Sequence, residues 1–291
     1  MVRGLALGAY CVLVWSGYVI VARSSATGVL GGPEQASLRA IGAGLILLPR
    51  FLLTWRRLVA QQGWPRMLVM VLVAGPIYTL IFITGLYFAP ASHGGVITPS
   101  SVPTITTLLA WAWLGERPTK RRVFGLAVIF AGVACIGWDG VAGANPGAWR
   151  GVPFFLVAAA LWAAFTVLMR RWRISGLDAT TVVSVLSLAY VPCHALWRGE
   201  RLLQASLSEL LLQLAMQGPL TGVLATFAYA RAVWLMGATR TSTITAMVPV
   251  CTTLLAWVVL DEKLATLQLA GMSLAVAGIM AAVLPSRRKT P

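Results

Sequence analysis

The sequence predicts an all-α integral membrane protein of ten transmembrane helices, built as two inverted five-helix repeats around a central cavity. Three observations predict this fold: the apolar composition, the spacing of apolar runs and an internal repeat. Of the 291 residues, 58% are hydrophobic and only 11% are charged, whereas soluble domains carry about a quarter charged residues. A spanning helix needs roughly 20 apolar residues, so the chain has room for about ten spans and for no soluble catalytic domain.

Ten apolar runs are separated by charged residues or by glycine and proline. The first run leads directly into Arg23 without a polar cleavage region, so we expect a retained helix rather than a removed signal peptide. The boundaries of such runs are accurate to a few residues. The predicted spans cover residues 4–22, 36–55, 67–88, 94–114, 121–138, 151–169, 178–197, 213–235, 239–260 and 264–284.

The formal net charge of +15 comes from basic residues in the short breaks between apolar runs. Nucleic-acid binders instead gather such residues on one solvated face, which argues against nucleic acid as a partner. The positive-inside rule places most of these residues in the cytoplasm. We therefore expect a multi-pass protein of the inner (plasma) membrane with cytoplasmic N- and C-termini. The basic residues at the C-terminus are Arg287, Arg288 and Lys289.

The second half of the chain repeats the first. The sequence TLLAWAWLGER at residues 107–117 aligns with TLLAWVVLDEK at residues 253–263, an offset of 146 residues. The repeat predicts two halves, residues 1–145 and 146–291, which together form one transport domain. Further matches, at offsets of 146 or 147 residues, are Pro103 with Pro249, Gly125 with Gly271, Gly132 with Gly278, Trp15 with Trp162 and Arg23 with Arg170.

The two halves are expected to be inverted. Each has five predicted spans, and an odd number makes the second half enter the membrane from the opposite side. The loop after the first aligned segment carries Arg117, Lys120, Arg121 and Arg122, whereas the equivalent loop of the second half carries Lys263. This difference in charge predicts that equivalent loops lie on opposite sides of the membrane.

A proline-containing span, a Leu-Leu-Ala sequence, a Leu-x-Glu exit and a glycine-rich span occur in this order at residues 103–132 and again at 249–278. With the spans that contain Trp15 and Trp162, this pattern resembles the EamA-type family of the drug/metabolite transporter superfamily. The resemblance implies a ten-helix fold and a cavity lined mainly by spans 1, 3, 4, 6, 8 and 9. It also implies alternating-access export of small metabolites, with amino acids, aromatic or neutral, as first candidates.

Glycine and proline interrupt corresponding spans of the two halves, where alternating access needs helices that bend. A single proline is more often merely tolerated in a membrane helix, but pairing across the halves favours a hinge role for the set. The predicted hinge residues are Gly75, Pro76, Pro99, Pro103, Gly218, Pro219 and Pro249.

Hydroxyl groups and aromatic rings recur on the spans that the resemblance places around the cavity. They suit a zwitterion or an aromatic side chain, although interhelical packing explains any single one equally well. The predicted substrate-binding residues are Trp15, Tyr78, Phe82, Ser100, Thr104, Trp162, Thr226, Tyr229 and Thr245. Arg39 and Arg231 are the ionisable residues nearest the interior. Of the two, Arg231 is the first candidate to bind a substrate carboxylate. A position at the membrane surface is nevertheless the simpler interpretation of Arg231.

All eight acidic residues fall at or near span ends. Proton-coupled pumps usually expose a carboxylate deeper in the membrane, so we expect facilitated movement, with proton-coupled export of another metabolite or drug as the alternative. His93 is expected to be solvated in an outer loop. Direction of transport is not encoded in the sequence, because a passive carrier runs either way.

The four cysteines and two histidines form no recognisable metal or catalytic cluster, so the sequence predicts neither a cofactor nor an enzyme. An integral-membrane enzyme is the weaker alternative. The expected partners are a small-molecule substrate and the lipid bilayer. We expect a monomer, because two fused halves already complete a symmetric unit, although the glycine faces of spans five and ten also permit close packing with another chain.

Overall fold

The computed structural model describes residues 2–143 and 145–283, and every regular element within them is helical. Arg287, Arg288, Lys289 and the last residue of the tenth predicted span lie outside the described residues. In the first half, α2 joins the second predicted span to the start of the third. The helices of this half are α1 (Val2–Ala26), α2 (Gly32–Ala74), α3 (Pro76–Phe88), α4 (Ala91–Leu114) and α5 (Lys120–Ala142).

The second half is more interrupted than the first. Short 3₁₀ turns cover Ala148–Gly151 and Ser187–Ala189, and a π-helix covers Met216–Leu224. These segments divide predicted spans seven and eight, and a turn at residues 246–247 divides predicted span nine. The helices are α6 (Val152–Trp172), α7 (Gly176–Leu186), α8 (Tyr190–Arg198), α9 (Glu200–Gln204), α10 (Leu207–Ala215), α11 (Ala225–Met236), α12 (Ala238–Thr245), α13 (Val248–Leu260) and α14 (Thr266–Val283).

The chain reverses within α2 at a single residue. Gly63 has φ 72° and ψ 155°, a conformation that glycine adopts without steric cost. After this turn the chain runs back along the first part of α2, so that Gly32 lies beside Leu80. A second interruption, at Gly75, separates α2 from α3, and Pro76 occupies the first turn of α3, where proline is tolerated.

Seven stretches of the described chain are helical, long and apolar enough to cross a membrane. Gly32–Phe88 has 57 residues, more than twice the length that a bilayer requires, and it contains the reversal at Gly63. The serine- and threonine-rich α4 and the shorter apolar helix Thr266–Ala282 are not among the seven. The seven are Val2–Ala26, Gly32–Phe88, Lys120–Ala142, Ala148–Trp172, Gly176–Trp197, Leu207–Met236 and Thr243–Leu260.

Four glycines bring α5 and α14 into backbone contact. A Cβ atom on Gly278 would lie 2.7 Å from the Gly125 carbonyl oxygen, and one on Gly271 would lie 2.6 Å from the Gly132 carbonyl oxygen. In the sequence repeat, Gly125 matches Gly271 and Gly132 matches Gly278. Gly125 therefore contacts the counterpart of Gly132, and Gly132 contacts the counterpart of Gly125. This is the arrangement of two antiparallel helices related by a twofold axis.

The helix ends define two faces of the bundle. Arg23, at the end of α1, donates hydrogen bonds to backbone carbonyls at the end of α3. That end leads directly into α4, and Gly151 at the start of α6 packs against Ala89. Helices α4 and α6 therefore begin where α1 ends, here called the opposite face. Both helices end where α1 begins, and this side is called the amino-terminal face. Arg170 pairs with Glu116 there.

The largest buried cluster lies towards the opposite face. Phe155 near the start of α6, Ile97 near the start of α4 and Ile136 near the end of α5 are each 0% exposed. Ile83 and Leu86, near the end of α3, belong to the same cluster. Apolar side chains from four helices thus seal the bundle on this side.

Candidate functional site

A cavity lies between α2, α6, α7 and the interruptions of predicted spans three and eight. Four of the predicted residues line it: the hinge residues Gly75 and Pro76, and the substrate-binding residues Trp162 and Thr226. These residues come from both halves of the chain. The cavity therefore joins a backbone interruption to two of the predicted substrate-binding residues, which is the combination that alternating access requires.

Two helices that the resemblance left out also line this cavity. Arg39 comes from α2, Thr180 and Ser184 come from α7, and Ser187 comes from the 3₁₀ turn that follows it. The resemblance implied a cavity lined mainly by spans 1, 3, 4, 6, 8 and 9, whereas spans two and seven also contribute to this cavity. The sequence could not show this, because lipid tails are as apolar as a helix core, so lipid-facing and cavity-facing sides look alike.

Two aromatic pairs connect the halves. The ring centroids of Trp162 and Tyr78 are 5.3 Å apart, and those of Trp15 and Tyr229 are 5.7 Å apart. In each pair a tryptophan of one half contacts a tyrosine of the other. Phe82 extends the first pair, since its centroid lies 6.1 Å from that of Tyr78. The structure thus brings five of the predicted substrate-binding residues into two clusters.

Arg39 is a cation inside the bundle. Its guanidinium carbon lies 5.9 Å from the centre of the Tyr18 ring, and the residue lines the cavity. It forms no salt bridge with any residue that the structure describes. Arg231, by contrast, is exposed and stacks over Trp234 at 4.0 Å. The surface interpretation therefore holds for Arg231, and the cation of the cavity is Arg39.

Three predicted substrate-binding residues lie elsewhere. The hydroxyl groups of Ser100 and Thr104, on α4, have no hydrogen-bond partner within the described chain. The Thr245 hydroxyl donates to the Thr241 carbonyl at 3.3 Å. As far as the described residues define it, the cavity wall includes none of the three. Contact with a substrate stays a prediction for these three and for the other six predicted residues.

The predicted hinge residues behave differently from one another. Pro99 and Pro103 lie inside α4, which continues through both without a break. Pro249 sits in the first turn of α13, just after the interruption between α12 and α13. Gly218 and Pro219 lie inside the π-helix. Proline removes one backbone donor and displaces the preceding turn, and the wider π geometry accommodates that displacement.

Gly218 also has a packing role that the sequence did not predict. A Cβ atom added to it would lie 2.5 Å from the Cα atom of Gly42 on α2. The π-helix therefore crosses α2 backbone against backbone. Small residues permit such an approach between membrane helices, so the second-half hinge rests directly on the helix that carries Arg39.

Both histidines are buried beside carboxylates. His93 lies inside α4 and is 0% exposed, with its Nε2 atom 3.7 Å from the Asp139 Oδ2 atom. The expectation of a solvated loop histidine is wrong, because α4 begins immediately after Pro90 and the end of α5 covers the side chain. His194 is 1% exposed, and its Nε2 atom lies 3.5 Å from the Glu34 Oε1 atom.

The acidic residues lie near helix ends, as predicted, but position along the chain did not reveal burial. Glu34 is 0% exposed and Asp139 is 1% exposed. The expectation of facilitated movement rested on the absence of a carboxylate deep in the membrane, and it stays a prediction.

The two copies of the Leu-x-Glu exit have different partners. Glu262 accepts hydrogen bonds from the Ala91 N–H at 2.6 Å, the Ser92 N–H at 3.1 Å and the Ser92 hydroxyl at 2.7 Å. These bonds give acceptors to backbone N–H groups in the first turn of α4, which have no partner within the helix. Glu116, its counterpart, pairs instead with Arg170 on the amino-terminal face, and both side chains are about half exposed.

The sequence also matches a known family over most of its length. The profile of the EamA-like transporter family matches residues 2–138 and again residues 149–284. The chain belongs to the EamA-like transporter family. The resemblance read from the Leu-x-Glu repeat is thereby confirmed. Two family matches in one chain establish a two-repeat architecture, whereas the division at residues 145 and 146 stays a prediction.

Two relatives of this EamA-like protein are named as transporters. The uncharacterized transporter YvbV of Bacillus subtilis (strain 168) is 32% identical over 136 residues, which cover 47% of this chain and 44% of that protein. The uncharacterized transporter in the sor 3'region of Acidianus ambivalens is 29% identical over 152 residues, which cover 51% of this chain and 53% of that protein. These alignments span about half the length of each relative.

A solved structure, described only as "Crystal structure of protein", has the same fold. It superposes with a TM-score of 0.62 over 99% of this chain and 98% of its own length, at 24% sequence identity. Together with the apolar helices, the family match identifies a multi-span protein of the EamA-like transporter family.

Proposed function

We propose that this EamA-like protein exports amino acids, with aromatic or neutral side chains preferred, by alternating access. The observation that carries the proposal is Arg39, a cation on the cavity wall without an anionic partner among the described residues. A guanidinium group matches the geometry of a carboxylate. Tyr18 and Trp162 offer ring surfaces nearby, which suit an apolar or aromatic side chain. The hydroxyl groups of Thr180 and Ser184 can accept hydrogen bonds from an ammonium group.

The asymmetry of the two faces supports alternating access. On the opposite face, the buried cluster and the hydrogen bonds of Glu262 hold α4 against the end of α13. On the amino-terminal face, the equivalent Glu116 remains at the surface. Inverted repeats that exchange conformations produce such a difference, because only one face is closed in each state. The state described here is closed at the opposite face.

We propose ten spans in the inner membrane, with the amino-terminal face towards the cytoplasm. The reversal at Gly63 divides Gly32–Phe88 into two spans, and α4 and α14 supply the spans that are less apolar or shorter than the others. The antiparallel packing of α5 and α14 fits an inverted second half. Arg170 lies in the last turn of α6 on the amino-terminal face, and Arg50 pairs with Asp178 in the first turn of α7 on the same face, as the positive-inside rule expects for the cytoplasmic side.

We propose a monomer. The glycine faces of α5 and α14 were the candidates for close contact with a second chain. They are occupied by each other within one chain, so the symmetric unit is complete.

Counterflow tests the substrate class. Liposomes that contain the purified protein are loaded with unlabelled L-phenylalanine or L-leucine, and the labelled amino acid is supplied outside. We expect the label to accumulate. No accumulation across a panel of amino acids, with folded protein, would remove amino acids as the substrate class.

Variants of Arg39 test the role of the guanidinium group. Losing one charge-assisted interaction costs about 1.5–3 kcal/mol, or about tenfold to a hundredfold in affinity. We expect R39Q to weaken L-phenylalanine binding by that factor but not the binding of phenethylamine, which lacks the carboxylate. R231Q is the matched control and should bind both normally. Equal weakening of both ligands by R39Q would indicate a structural role for Arg39.

A further inference from the structure

We propose that Glu34 and His194 form a proton-binding site that couples proton movement to the transport cycle. Glu34 lies in the first turn of α2, and His194 lies in α8. Both are at most 1% exposed, and the Glu34 Oε1 and His194 Nε2 atoms are 3.5 Å apart. The inference rests on the transport function proposed above and adds a driving force to it.

No hydrogen bond within the described residues explains the burial of Glu34. Neither of its carboxylate oxygens has a hydrogen-bond partner among the described residues. A glutamate at this position of a helix often bonds the backbone N–H just before the helix, but the Gly31 N–H donates to the Val29 carbonyl instead. A buried carboxylate without hydrogen bonds is stable only when it is protonated or paired with a cation. His194 can supply either the proton or the charge.

The imidazole ring is held in the orientation that this exchange needs. The Ser37 hydroxyl forms a 2.9 Å hydrogen bond with the His194 Nδ1 atom. Tyr190 stacks on the ring, with centroids 5.9 Å apart and an interplanar angle of 13°. A partner on one ring nitrogen fixes the role of the other, so the Nε2 atom is left facing Glu34.

A tyrosine and a cysteine, which are neutral when protonated, lie beside the pair on α8. Tyr190 faces Glu34 from α8 and lies beside Cys193. On another side of α2, Gln217 of the π-helix donates to the Gln35 Oε1 atom at 2.8 Å. The net charge of the site therefore depends on the protons that Glu34 and its histidine hold, and it changes by one unit with each proton.

The proton site is connected to both the cavity and a hinge. Glu34, Ser37 and Arg39 lie within two turns of the same helix, and Arg39 lines the cavity. The hydrogen bond between Gln35 and Gln217 joins that helix to the π-helix next to Gly218. A change of charge at the pair therefore acts on a helix that contacts substrate and on a segment that bends.

The second buried pair provides a matched control. His93 also faces a carboxylate, but Asp139 already accepts a hydrogen bond from the Asn145 side chain at 3.1 Å. Neither residue lies on α2 or lines the cavity in the described structure. H93Q removes an equally buried imidazole without altering the proposed proton site.

Infrared spectroscopy of the purified full-length protein tests the proton site without any substrate. We expect a buried protonated carboxyl band that titrates with pH in the wild type, disappears in E34Q and titrates at a different pH in H194Q. H93Q should titrate like the wild type. A titrating band that persists unchanged in E34Q would overturn the proposal.

Transport in liposomes tests coupling, with labelled L-phenylalanine as the probe. If one proton moves per cycle, a gradient of one pH unit supports about tenfold accumulation. We expect the ratio of gradient-driven accumulation to counterflow to fall about tenfold in E34Q and H194Q, to the uncoupled level, and to be kept in H93Q. An acidic interior that drives uptake indicates exchange, and an acidic exterior indicates cotransport; both support coupling.

The two proposals fail in different ways. Counterflow by the wild type without accumulation under either gradient would overturn proton coupling and leave the carrier function intact. Silent counterflow, together with loss of the infrared band in E34Q, would remove the amino-acid assignment and support the proton site.

Discussion

The two Leu-x-Glu exits are copies in sequence but differ in structure. After α13, Glu262 accepts three hydrogen bonds from the first turn of α4. After α4, Glu116 pairs with the half-exposed Arg170. The same residue type thus holds a helix start in one half and lies at the surface in the other. The comparison suggests a rule for inverted repeats: each conformational state makes different contacts at equivalent positions of the two halves.

The comparison also specifies the other state. The counterparts of Ala91 and Ser92, 146 residues later, are Gly237 and Ala238 at the start of α12. When the amino-terminal face closes, we expect Glu116 to bond the start of α12 and Glu262 to release α4. Three predictions follow from this exchange, in order of expected effect.

The largest effect is expected for Glu262→Ala. The variant leaves the first turn of α4 without its charged partner, at a cost of about 1.5–3 kcal/mol. We expect amide hydrogen exchange at residues 91–94 to rise, and counterflow to fall, by about tenfold to a hundredfold. D261N is the control, because Asp261 is exposed and asparagine tolerates its left-handed backbone conformation. Unchanged exchange in E262A would show that Glu262 does not hold α4.

A second prediction concerns the contact between α5 and α14, which we expect in both states. Gly278→Ala places a methyl group against the Gly125 carbonyl and the Ile129 backbone, and overpacking of this kind costs about 1–3 kcal/mol. We expect a lower midpoint of thermal unfolding in detergent. Gly137, on α5, faces open space, so G137A should keep or raise the midpoint, because alanine favours the helix more than glycine does. Equal midpoints for the two variants would mean that α5 and α14 are not in backbone contact.

The smallest effect on stability is expected for Glu116→Gln. Its ion pair is half exposed, and such pairs contribute at most about 1 kcal/mol. Exchange at residues 91–94 should stay at the wild-type level. Counterflow should nevertheless slow severalfold, because the other state needs this carboxylate. Wild-type transport by E116Q would break the proposed equivalence of the two exits.

The sequence predicted the elements that depend on local chemistry and on the repeat. Apolar runs located the helices, and the two matched pairs of glycines, Gly125 with Gly271 and Gly132 with Gly278, proved to lie in one helix contact. Matched tryptophans at Trp15 and Trp162 each contact a tyrosine of the other half. These features could be read because they occur twice, and because close packing requires glycine or an aromatic ring whatever surrounds it.

The predictions that depended on burial were less successful. His93 was expected in solvent because it follows Pro90 between two predicted spans, and the substrate carboxylate was assigned first to Arg231 rather than to Arg39. Position along a helix does not reveal which neighbours cover a side chain. The wall contributed by α2 and α7 was missed for a related reason, since hydropathy does not distinguish a side that faces lipid from a side that faces a cavity.

Arg39 has no counterpart in the second half. The equivalent position is Val185 at an offset of 146 residues and Leu186 at 147. A dimer of identical subunits would present two guanidinium groups to the cavity or none. One chain with two diverged halves presents a single positive wall opposite a neutral one. A substrate with a charged end and an apolar end would therefore bind in one orientation only.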